Sequence, residues 1–121
     1  MIGPERLTAW QVANRPAEKV YRIATANWTP SSSPVWDQLR RASLSVSLNL
    51  VEGYAWGPGR RWIYHLKVAN GSALETVFAI RFIRNIGTLP TAKADELLSL
   101  ACLSKRLVWR LLQQAAREQD E

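Results

Sequence analysis

The sequence predicts an all-α protein: an antiparallel up-down-up-down four-helix bundle that assembles into a homo-oligomer. Three observations predict it. Apolar residues recur at helical spacing over about residues 4–26, 34–55, 60–86 and 91–117. Three short segments rich in Pro, Gly and Ser separate these stretches, and none of them needs a strand. Helices three and four carry more apolar surface than one bundle core can cover, so copies of the chain must shield each other. At 121 residues the chain is one domain, residues 1–121.

In the first helix, counting about 100° per residue places Leu7, Trp10, Ala13, Ala17, Val20, Tyr21 and Ala24 on one side. Arg6, Gln11, Arg15, Glu18 and Arg22 fall on the other. Pro16 lies inside, where it removes a backbone donor and clashes one turn back, which predicts a kink or a local break.

Thr29 to Pro34 is turn chemistry, with Ser33 the expected N-cap and Pro34 the first helical residue of helix two. That helix presents Leu39, Ala42, Val46, Asn49, Leu50 and Gly53 on one face, with Arg41, Ser45 and Glu52 along its edge. Gly57-Pro-Gly59 breaks the chain before helix three. There Trp62, Leu66, Ala69, Ala73 and Ile80 form one face, while Tyr64, Val68, Phe78 and Phe82 form a second, roughly 120–160° away. After Gly87 to Pro90, helix four turns Leu97, Leu100, Ala101, Ser104, Leu107, Val108, Leu111 and Ala115 inward. Leu98, Cys102 and Trp109 widen that stripe, and the acidic tail Glu118 to Glu121 is expected to fray.

Sixteen Lys and Arg against ten Asp and Glu give a net charge of +6 and a pI near 10.1, which favours an acidic partner such as nucleic acid. A single cysteine, Cys102, can form no internal disulfide and points to a reducing compartment, the cytoplasm. No window approaches the ~18 uncharged apolar residues of a membrane span, so no membrane partner is expected.

Few residues suggest chemistry. Counting outward from the turn near Gly57 levels Arg41 with Ala73 to Glu75, and Asn49 with His65. An Arg41–Glu75 ion pair would explain a carboxylate in the most apolar helix, so Arg41, Asn49, Glu52 and Glu75 are read as a structural polar clamp rather than as catalytic acids and bases. His65 is the only histidine, and Trp62 occupies the position at which a Glu-x-x-His ligand pair would need its carboxylate. No metal, cofactor or catalytic residue is expected. Cys102, set among Leu and Ala, reads as a packed thiol.

Gly57-Pro-Gly-Arg-Arg61 lacks the Gly-Lys-Ser/Thr ending of a phosphate loop and reads as a helix-to-helix turn. Its Arg60 and Arg61 stand at the positive end of a helix dipole, where an anion would relieve them; the alternative is a solvated turn. Arg106, Arg110 and Arg117 fall within about 40° on helix four and could follow a phosphate backbone, or form an ordinary solvated face. Trp10, Trp28, Trp36 and Trp109 occupy positions compatible with packing, whereas Trp56 and Trp62 flank the basic turn and suit stacking on bases or on a partner subunit.

Three ordered motifs then carry a family resemblance: Gln38-Leu-Arg-Arg-Ala42, Ser45-Val-Ser-Leu-Asn-Leu-Val-Glu-Gly53 and Ala69-Asn-Gly-Ser-Ala-Leu-Glu75. Over about residues 7–113 the chain resembles the four-helix bundle proteins encoded in intervening sequences of bacterial 23S ribosomal RNA genes. The resemblance implies a helical bundle in a ring, commonly a pentamer, of a small cytosolic protein with no established enzymatic activity. It extends to the accessory variability proteins of diversity-generating retroelements, basic pentameric bundles that associate with a reverse transcriptase and RNA. Arg41, Asn49, Glu52, Gly53, Gly71, Ser72 and Glu75 match the family's motif residues and are read as clamps and close-contact points. Pro16 and Trp62 depart from the pattern.

Two functions follow as expectations. The first is a non-enzymatic oligomeric bundle that binds RNA or other nucleic acid through phosphates, at Arg60, Arg61, Arg106, Arg110 and Arg117. The second is a protein-interaction scaffold or accessory subunit, for example of a reverse transcriptase.

Overall fold

The computed structural model describes residues 3–120. Four helices account for nearly all of them: α1 (Gly3–Asn27), α2 (Ser33–Ala55), α3 (Arg60–Ile86) and α4 (Thr91–Asp120). Each packs against two others, in the order α1–α2–α3–α4 and back to α1. No strand occurs among the described residues.

Helix α1 runs without a break through Pro16, which is buried. The expected break is therefore corrected: the ring is held against the interior, and tertiary packing keeps the helix continuous across the missing donor. At the start of α2, Ser33 is the first helical residue rather than the cap. A 3-10 turn, Pro30–Ser32, precedes it, and Ser32 takes the cap position without a side-chain bond to the helix. Helix α3 ends on Gly87, whose φ of 75° is open to glycine at little cost. Thr88 N–H then donates to Ile83 O at 3.2 Å, satisfying a carbonyl at the helix end. Helix α4 continues three residues past the expected Arg117, to Asp120.

The interior divides into two apolar clusters. Val46, Leu50, Trp62, Leu66, Val108 and Leu111 build one; Val20, Trp36, Leu39, Ile80, Ile83 and Leu97 build the other. Among the described residues of α1, the outward assignment of Arg6 is overturned: it is buried, whereas Leu7 on the supposed inner face is exposed. Cys102 is exposed rather than packed, Trp28 and Trp109 stand partly in solvent, and Trp62 is fully enclosed.

Candidate nucleic-acid interface and the polar seam

Helices α2 and α3 meet along a polar seam. Ser45 Oγ and Ser72 Oγ lie 2.7 Å apart, and Asn49 Nδ2 donates to Ser45 O at 2.8 Å. One turn further along α2, Asn49 Oδ1 stands 3.0 Å from His65 Nδ1, with Glu52 Oε2 at 3.6 Å from the same nitrogen. Small hydroxyl side chains at Ser45 and Ser72 let the two backbones approach, and further along α2 the amide of Asn49 meets the imidazole of His65. Asn49 and Glu52 of the anticipated clamp stand here, joined by Ser45, Ser72 and His65.

The other half of that clamp does not form. Arg41 and Glu75 are both exposed and make no ion pair; the Arg41 guanidinium donates to Gln38 Oε1 at 3.1 Å instead. An exposed carboxylate needs no buried partner, so the premise of the Arg41–Glu75 pair falls away.

At the α2–α3 turn stands a residue that helical periodicity places outside, Arg6. Its Nη2 donates to Gly53 O at 3.1 Å, and its guanidinium lies 4.3 Å from the Tyr54 ring and 4.6 Å from that of Trp62. The last turn of α2 contains no basic residue of its own, so Arg6 brings a positive charge to the negative end of that helix. Burial pulls its pKa below the usual guanidinium range, partly opposed by Tyr54. The legible signal was the absent cation at the end of α2 beside two aromatic residues.

The five arginines expected to meet phosphate are all exposed, yet the structure does not gather them into one groove. Arg60 and Arg61 open α3, with Arg61 stacked 3.7 Å over the exposed Trp56 ring. Arg117 donates to Gln114 at 3.0 Å. Arg110 lines a groove of about 670 Å³ between α1 and α4, together with Glu5, Val12 and Leu107. Arg106 lines a different groove, between α3 and α4, with Phe78, Arg81, Lys105 and Trp109. Arg81 and Lys105 had not been singled out in the sequence; their signal is the helical spacing that places each beside an exposed aromatic.

Among the described residues, Arg40 with Asp37 and Arg84 with Asp95 are the Lys or Arg ion pairs formed. No group of three or more His, Cys, Asp or Glu among them could hold a metal ion, and no helix is long and apolar enough to cross a membrane.

A family model described as 23S rRNA-intervening sequence protein matches residues 5–109. The chain belongs to this family. The match takes in α1 to α3 and most of α4, so the seam and Arg6 of this 23S rRNA-intervening sequence family member lie inside it. Arg110 and Arg117 lie beyond it. No curated protein and no solved structure gives a significant match.

Proposed function

We propose that this member of the family is a non-enzymatic, up-down-up-down helical bundle that forms a homo-oligomeric ring and binds RNA or other nucleic acid through its phosphates. The observation that carries the nucleic-acid reading is the set of exposed arginines, Arg60, Arg61, Arg106 and Arg110, that meet no carboxylate within ion-pair distance among the described residues. Guanidinium groups without a carboxylate partner suit bidentate contact with phosphate oxygens. The alternating direction of α2 and α3 is supported by the contacts Ser45–Ser72, Asn49–His65 and Gly53–Trp62, which advance along one helix while receding along the other.

The ring is supported by two unlike apolar surfaces. Leu44, Leu48 and Val51 stand exposed on α2, and Tyr64, Phe82 and Ile86 on α3. Contact between unlike surfaces of identical copies closes a ring when the rotation permits, and the family resemblance sets the expected number at five. The lone, exposed Cys102 suits the cytoplasm, where thiols stay reduced.

Titration with a labelled mixed-sequence RNA at two salt concentrations tests the reading. Affinity should fall steeply as salt rises, because each phosphate contact releases a counterion. Absence of binding at low salt overturns it. The exposed rings of Trp56 and Trp109 favour a second reading, a scaffold or accessory subunit for another protein, for example a reverse transcriptase. Co-purification with a protein partner, by a chain that ignores RNA, selects that reading.

A further inference from the structure

The phosphate-binding reading leaves open which form of nucleic acid the protein takes and where. Grooves run between neighbouring helices, and their linings differ in charge. The α1–α4 groove sets Glu5 against Arg110, and the α1–α2 groove sets Glu18 against Arg22. The α3–α4 groove, about 380 Å³, contains Arg81, Lys105 and Arg106 and no carboxylate. Three cations facing one cleft repel one another unless something anionic lies between them.

The same cleft exposes aromatic faces. Phe78 is 57% exposed and Trp109 46%, on opposite helices, with Leu74 in the same lining and the Arg81 guanidinium 5.6 Å from the Phe78 ring. Leaving two large rings in water is unfavourable for an isolated chain. A duplex cannot cover them, because its bases are stacked on each other and present only edges and backbone. An unpaired strand can: its bases stack on aromatic rings while its phosphates follow neighbouring cations. A peptide of Asp and Glu alone would answer the charge but not the rings.

We propose, resting on the nucleic-acid reading above, that the α3–α4 groove is a single-stranded RNA site in which Trp109 and Phe78 stack on bases while Arg81, Lys105 and Arg106 hold the intervening phosphates. The ring reading places a second copy on Tyr64, Phe82 and Ile86 of α3, none of which lines this groove.

The test uses the full chain with two probes, a 12-nucleotide oligouridine and a 12-base-pair RNA duplex. The oligouridine should bind more tightly, and Trp109→Ala should weaken it about tenfold while leaving the duplex unchanged, since one base–aromatic stack contributes on that scale. Cys102, exposed in the same groove, supplies a readout that needs no variant: oligouridine should slow its alkylation by a maleimide. If Trp109→Ala loses its helical circular dichroism, this protection decides the question.

Oligouridine bound equally by both chains, with Cys102 alkylated at the free rate, overturns the groove and leaves the phosphate reading standing. Failure of both probes to bind at low salt overturns both. Displacement of the oligouridine by polyglutamate at equal charge, with the same protection of Cys102, overturns the stacking role and makes the groove a site for an acidic protein.

Discussion

Gly53 and Trp62 touch so closely that a Cβ built on the glycine would stand 2.7 Å from the indole Cε3 and 2.9 Å from His65 Cβ. Neither neighbour can give way, because Trp62 is enclosed and the second atom is the root of its side chain. Glycine is there for space.

Gly53→Ala should therefore lower stability by about 1–3 kcal/mol, the usual cost of forcing extra volume into a packed contact. Gly71 makes the contrast: nothing lies within 4 Å of the Cβ it would gain. Gly71→Ala in that open helical position should raise stability by about 0.5–1 kcal/mol. Urea unfolding of the two variants should give shifts of opposite sign.

Arg6→Ala removes the donor at Gly53 O and uncovers the rings of Tyr54 and Trp62. A loss of about 1–3 kcal/mol is expected from the charged hydrogen bond and cation–π contacts together. The decrease in urea midpoint checks it, and an unchanged midpoint would show that the cost of burying the guanidinium cancels both.

Asn49 and His65 should prove energetically coupled. A double-mutant cycle of Asn49→Ala and His65→Ala, followed by thermal unfolding, should return an interaction of about 0.5–1.5 kcal/mol. Strict additivity would mean that the 3.0 Å contact contributes nothing.

Leu48 is 47% exposed and contributes little to the single chain's interior. Leu48→Glu should leave helical content intact while reducing the mass measured by light scattering to that of one chain. A wild-type protein that already runs as a monomer contradicts the ring outright.

Most of the fold was legible because helical periodicity reports burial directly. Leu39, Val46, Leu66, Ile80, Leu97 and Val108 all lie inside, as their spacing required. What periodicity cannot express is a side chain that reaches beyond its own helix. Arg6 sits on the wheel as an outer residue, but its long stem carries the guanidinium under the end of α2. Pro16 likewise reads as a breaker only while its tertiary surroundings are ignored. Arg41 and Glu75 failed in the other direction: level positions on two helices do not make a pair when both side chains point to water. For the interface, single arginines were visible as a stripe. The Arg81–Lys105–Arg106 cleft arises from two helices brought together, which no count along one helix reveals.

The hydroxyl and amide bonds between α2 and α3 also restrict how those helices can slide. Apolar ridges would mesh again after a displacement of about one turn, roughly 5.4 Å. Ser45, Ser72, Asn49 and His65 would not, since each would lose its mate at once. These few directional contacts therefore fix the register of a pair of helices whose greasy residues alone would tolerate several.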